Sequence, residues 1–230
     1  MAISERWLDN IANNLANAST VGFKRETLAF NERLMREMRA QLGTGEVVGS
    51  LGSGPELLTS AMVMEQGAAV STGNPLDVAI LGDKGFFAVQ SAEGVRYTRN
   101  GSFNLSPDRT LITKSGQPVL DTQNQPITLP EGKAEISEFG EVKVNGQTIA
   151  QLGIVDGAFS PAGYGLYSGA STLPMESVQL MTAALESSNV NAIDEMVQMV
   201  KLNRAFEMSQ KSASSQDEAT ERLIQSLNSR

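Results

Sequence analysis

Any catalysis by this 230-residue chain would fall to carboxylates, lysine, tyrosine, serine or arginine, because it has no histidine and no cysteine. That absence removes Ser-His-Asp and Cys-His machinery, disulfides, and the commonest zinc ligands. The carboxylates worth weighing are Asp77 behind Pro75-Leu76, Asp121 near a turn, and Glu135, Glu138 and Glu141 at every third position. A carboxylate pair can hydrolyse glycosides. Carboxylates in turns and on exposed strands are ordinarily just solvated, and no second catalytic element accompanies these. Gly43-Thr44-Gly45 and the stretch from Gly49 to Gly54 lack the Gly-Lys-Ser/Thr ending of a phosphate loop and read as flexible linker. The chain is therefore read as non-enzymatic, with no catalytic residue, cofactor, metal or small-molecule substrate.

The net charge of −8 is unevenly placed. Residues 1–42 hold six basic and five acidic groups (+1), residues 43–185 seven and fourteen (−7), and residues 186–230 five and seven (−2). A chain with a pI near 4.7 is a poor partner for nucleic acid, which needs basic surface. No 18-residue apolar run spans a membrane, and Met1 to Arg6 lacks the basic region and apolar stretch of a cleavable signal peptide.

The elements around these residues fall into three kinds. Ile3, Trp7, Ile11 and Leu15 recur every four residues and predict a short amphipathic helix that stops near Asn17. Leu28, Leu34, Met35, Met38 and Leu42 predict a second helix. The middle alternates short apolar runs with turns such as Gly82-Asp83-Lys84-Gly85, Asn100-Gly101 and Ser106-Pro107-Asp108, a pattern that predicts an all-β sandwich or barrel. Of the adjacent Phe86 and Phe87, one is expected in the core and the other at a domain or subunit contact, because neighbours on a strand face opposite sides. From about Asn191 there is no Pro or Gly to the end. Met199, Leu202, Phe206, Ser209, Ala213, Gln216, Thr220, Leu223 and Leu227 are spaced alternately three and four apart, an imperfect heptad seam. Ser187, Ser188 or Asn189 would cap this helix, with Asp194 and Glu195 complementing its dipole. The expected fold class is α+β, with N- and C-terminal helices pairing as a coiled coil and a central all-β domain. Its parts are a helical region (1–42), a linker (43–69), the β domain (70–172) and a second helical region (173–230). The pattern alone leaves two outcomes open: the long terminal helix meets copies of itself, or it folds back on the β domain.

Ile11-Ala12-Asn13-Asn14-Leu15-Ala16-Asn17-Ala18-Ser19-Thr20-Val21-Gly22-Phe23-Lys24 resembles the N-terminal signature of the flagellar rod and hook protein family. Gly73 to Ile80, Gly85 to Val89 and Tyr97 to Phe103 resemble the start of that family's β domain. Glu186 to Asn191, Glu195 to Val197 and Asn203 to Glu207 resemble its C-terminal signature. Members carry a longer segment ahead of the first block, so the first helix is expected to be short here. The turn Gly82 to Gly85 is one residue longer than the family's pattern.

The resemblance implies a structural subunit of the bacterial flagellar basal-body rod, a passive shaft linking motor to hook. It implies unfolded export through the flagellar export apparatus, self-assembly into a helical rod, and contact with other rod and hook proteins. It favours the coiled coil, with the terminal helices in an inner tube and the acidic β domain outside. The expected assembly interface comprises Ile11, Asn13, Asn14, Leu15, Asn17, Gly22, Phe23, Asn189, Asn191, Met199, Leu202, Phe206, Leu223 and Leu227. The three asparagines of the first block would bond across subunits, since a packed tube must satisfy its buried amides. Gly22 would permit a backbone conformation or close approach that a side chain blocks, with Phe23 as anchor. The alternative reading is a secreted β-rich binding or adhesion module with helical tails.

Overall fold

The strong apolar period of the first sixteen residues and the Gly/Pro-free terminus both become helix in the computed structural model, which describes residues 2–30, 58–175 and 178–228. Helix α1 is Ala2–Ala16 and helix α2 is Ala192–Asn228. Between them the described chain is β. Its strands are β1 (Glu26–Phe30), β2 (Leu58–Met62), β3 (Ala69–Ser71), β4 (Val78–Ile80), β5 (Phe86–Ser91), β6 (Gly94–Thr98), β7 (Phe103–Leu105) and β8 (Leu111–Thr113). They continue with β9 (Ala134–Ile136), β10 (Glu141–Val144), β11 (Gln147–Gln151), β12 (Ile154–Gly163), β13 (Leu166–Pro174), β14 (Leu180–Thr182) and β15 (Ala184–Glu186). The molecule is thus mostly β with a helix at each end. It divides into a helical unit containing α1 and α2 and a β unit of residues 17–27 and 61–190. Among the described residues, no helix is long and apolar enough to cross a membrane.

The β unit is built from short pairings rather than one long sheet. Strands β12, β13, β6 and β5 close a small barrel, and β11, β10 and β9 form a three-stranded sheet. The pairs β14–β4, β15–β3 and β7–β8 complete it. Val78, Ile80, Phe87, Phe103, Leu111, Val119, Val142 and Leu152 fill one apolar core. Phe86 and Phe87 do face opposite sides, yet both are fully buried. Phe87 meets Phe103 edge-on in the core at 5.1 Å between ring centres, whereas Phe86 packs on Phe159 (4.1 Å) and Tyr167 (5.1 Å). The domain or subunit contact expected for one of them is instead an aromatic cluster with residues of β12 and β13.

Two other expectations change. Leu28, assigned to a second helix, lies on strand β1, which pairs with β2; Thr27 and Phe30 suit an extended ribbon. Leu34, Met35, Met38, Leu42 and the Gly43–Gly54 linker lie outside the described residues. Residues 180–186, placed in the C-terminal helical region, form β14 and β15. The segment Leu-Met-Thr-Ala-Ala-Leu-Glu is a fair helix former, but β4 and β3 offer it strand edges, and pairing overrides local propensity. Ala183 makes the step between the two strands in left-handed backbone (φ 52°).

Candidate functional site

Each of the three signature blocks contributes one charge to a single buried cluster in the β unit. Lys24 follows the Gly22-Phe23 turn, Arg99 follows β6, and Glu186 ends β15; all three side chains are 0–1 % exposed. Glu186 Oε1 accepts from Lys24 Nζ at 2.7 Å, and Oε2 accepts from Arg99 Nε at 2.7 Å. The Gly67 amide also donates to Oε1 at 3.0 Å. Two cations against one carboxylate leave a positive excess, which backbone carbonyls solvate. Lys24 Nζ donates to Glu65 O (2.8 Å) and Met64 O (3.3 Å). The Arg99 guanidinium donates to Lys84 O (2.7 Å), Gly85 O (2.5 Å), Ile80 O (3.3 Å) and Gly82 O. The turn Gly82 to Gly85 therefore wraps the guanidinium. Burial holds the Lys24 ammonium below its ordinary pKa, with Glu186 opposing that fall. Burial likewise pushes the nearby Tyr167 phenol up to about 12, and its oxygen accepts from the Lys24 amide at 3.4 Å. The cluster is structural chemistry: every polar group is matched, as burial demands.

Residues expected at an assembly interface flank this cluster. Gly22 has φ +68°, and a Cβ there would stand 2.5 Å from the Arg99 carbonyl carbon, so both proposed reasons for glycine hold. Its amide donates to Glu186 O at 2.8 Å. Phe23 beside it is 7 % exposed. Asn189 is not a helix cap. Its Oδ1 accepts from the Arg25 amide (2.7 Å), and its Nδ2 donates to Val63 O and Glu65 O (2.9 Å each), so one amide ties three segments together. Ser188 Oγ accepts from the Val190 amide, and the Ser187 hydroxyl donates to Ala68 O. Asn17 stays at the turn after α1, where its carbonyl and side-chain oxygens accept from the Thr20 amide and hydroxyl at 3.1 Å.

In the helical unit, Asn191 is the N-cap of α2, its Oδ1 accepting from the amides of Ile193 (3.1 Å) and Asp194 (3.5 Å). The cap lies two to four residues past the expected ones because Ser187–Asn189 are engaged by the β unit. Helices α1 and α2 pack side by side. Ile11 and Asn14 are buried, Leu15, Met199 and Leu202 are half-buried, and Asn13 is exposed. Trp7, Ile11, Gln198, Lys201, Leu202 and Ala205 line an apolar groove of about 260 Å³. The side chains of Phe206, Leu223 and Leu227, and those of Ser209, Ala213, Gln216 and Thr220, lie outside the described residues.

Three of the five carboxylates weighed for catalysis have structural work, and the other two, Glu135 and Glu138, are exposed. Asp77 accepts from Thr72 Oγ1 (2.7 Å) and Asn74 Nδ2 (3.0 Å), and Asp121 Oδ1 from the Gln123 and Gln125 amides (2.8 Å each). Glu141 pairs with Lys143 at 2.8 Å, and that contact holds its carboxyl below the usual range. Lys24, Arg99 and Glu186 were absent from the expected site. The available signal was a lone charge in each of three contiguous runs, Ile11 to Lys24, Tyr97 to Phe103 and Glu186 to Asn191, with Glu186 opposite in sign to the other two.

Three family models match the chain: "Flagella basal body rod protein" over residues 6–24, "Flagellar hook protein FlgE/F/G D1 domain" over 79–156, and "Flagellar basal body rod FlgEFG protein C-terminal" over 181–226. The chain is 36 % identical to the flagellar basal-body rod protein FlgF of Rhizobium meliloti (strain 1021), over 90 % of this chain and 85 % of that protein. It is 34 % identical to FlgG of Buchnera aphidicola subsp. Schizaphis graminum, over 94 % of this chain and 92 % of the relative. It is 32 % identical to FlgG of Bacillus subtilis (strain 168), again over 94 % and 92 %.

Proposed function

Because the chain belongs to the flagellar basal-body rod protein family, we propose that its terminal helices are the polymerising part of a structural rod subunit, pairing as a coiled coil, while the β unit is a preformed body. The chain is a structural subunit of the bacterial flagellar basal-body rod and resides in the flagellar basal body. That role replaces the secreted binding or adhesion module. Its partners on this reading are copies of itself, other rod and hook proteins, and the flagellar export apparatus, with no nucleic acid, no small-molecule substrate and no catalytic step.

The observation that carries the proposal is the line of exposed apolar residues along one face of α2. The β unit has a core in which Val78, Phe86, Phe87 and Phe103 are completely buried, and it exposes Val70, Phe139, Tyr164 and Leu173 at separate places in the chain; α2 leaves Ile193, Val200 and Met208 half or more exposed on one helix face. A helix that keeps such residues in water gains by covering them with another helix. Deleting the chain from Asn191 onward tests this. The expected product is a soluble β body that does not enter the rod and leaves cells non-motile; normal motility with the deletion overturns the proposal.

A further inference from the structure

The helical unit has two exposed faces of opposite character, and each lies on the far side of its helix from the α1–α2 contact. On α1 the contact side holds Ile11, and the outer line holds Glu5, Asp9, Ala12 and Ala16, all exposed, at steps of four, three and four residues. On α2 the contact side holds Met199 and Leu202. The outer line holds Ile193 (71 % exposed), Val197 (45 %), Val200 (51 %), Arg204, Met208 (67 %) and Lys211.

Both faces are polarised along their length. The Gly22 amide donates to Glu186 O and the Asn189 amide to Phe23 O, so the segment following α1 runs beside the segment preceding α2. The C-terminal end of α1 is therefore the neighbour of the N-terminal end of α2, and the pair is antiparallel. At that shared end the α1 face is small (Ala12, Ala16) and the α2 face is bulky and apolar (Ile193, Val197, Val200). At the other end the α1 face is acidic (Glu5, Asp9), and the α2 face carries the basic Arg204 and Lys211 on either side of the exposed Met208. Arg6 borders the first face and Glu207 the second, a further pair of opposite sign.

We propose that the outer face of α1 in one copy docks on the outer face of α2 in the next, at the same axial level. Small residues there admit the bulky ones, and the acidic end meets the basic end. The two faces are different surfaces on opposite sides of the helical pair, so the contact is heterologous. Such a contact leaves a free face on each added copy and grows into a ring or helix rather than closing as a dimer. This rests on the helices being the polymerising part of the chain.

The test uses the full chain, whose lack of cysteine gives a clean background. Ala12→Cys and Val197→Cys are introduced together and separately, and isolated basal bodies are oxidised. The expected result is a ladder of dimers, trimers and larger species from the double variant, and nothing larger than a dimer from either single one. A double variant that enters basal bodies and gives no ladder overturns the docking proposal while leaving the rod assignment standing. Absence of the unsubstituted chain from purified basal bodies overturns the rod assignment itself. Charge reversal keeps the proposal falsifiable if the cysteine pair blocks incorporation. Glu5→Lys with Asp9→Lys is expected to abolish motility, and adding Arg204→Glu with Lys211→Glu to restore it; failure to restore, with the protein stably present, also overturns the docking.

Discussion

In the β unit a lysine and an arginine share one carboxylate at no more than 1 % exposure, with backbone carbonyls completing their shells. In the helical unit valine, isoleucine and methionine stand half or more in water. One region has buried a charge cluster and satisfied it internally; the other has left a line of apolar side chains open along one helix face. A buried charge without its partner costs several kcal/mol, so the β unit must close on itself within one chain. An exposed apolar helix face costs little in a monomer and yields free energy only when another surface covers it. On the proposed reading, stability and assembly fall to different parts of one subunit.

Substitutions separate the two regions. Glu186→Gln, which leaves Lys24 and Arg99 buried without a counter-charge, is expected to destabilise the folded chain by about 3–5 kcal/mol in urea unfolding. A loss below about 1 kcal/mol would break the comparison, because the cluster would then not be what closes the β unit. Gly22→Ala combines left-handed backbone with a clash against the Arg99 main chain, for about 2–3 kcal/mol by the same measurement. Asn189→Ala removes three hydrogen bonds that tie Arg25, Val63 and Glu65 together and should cost about 1–2 kcal/mol.

The alkaline limb of stability sharpens the picture further. Tyr167 ionises near 12 when folded and at its ordinary 10.0 when unfolded, so the fold holds that proton more tightly. Its contribution is complete below pH 10 and is lost as pH climbs through 12. Lys24 has the opposite sign: its lowered folded pKa makes stability rise with pH until the unfolded ammonium titrates at 10.5. Melting curves of Tyr167→Phe should accordingly lose the fall between pH 10 and 12, and an unchanged fall would contradict the burial of the phenol as its cause. The smallest stability effect belongs to the helical unit. Val197→Gln on the exposed face of α2 should change unfolding free energy by no more than about 0.5 kcal/mol. The same substitution should nevertheless lower incorporation into basal bodies, measured by immunoblot of the purified structures.

Local pattern was enough to read the two helices, the β character of the middle and the reason for Gly22 from the amino-acid order, because periodicity and turn chemistry act over a few residues. The signature blocks were legible for the same reason, each being a contiguous run. The chain alone left undecided what those blocks do to one another. Lys24 and Glu186 are 162 positions apart and Arg99 and Glu186 are 87 apart, distances over which no spacing rule operates. Only closure of the fold turned three scattered charges into one buried cluster. It also moved the cap of α2 to Asn191 by engaging Asn189 elsewhere. Strands β14 and β15 arose in the same way, from edges that β4 and β3 present only once folded. Sequence thus determined the elements and their punctuation, while tertiary structure decided which polar groups are shared between them, since that depends on which distant segments burial brings into contact.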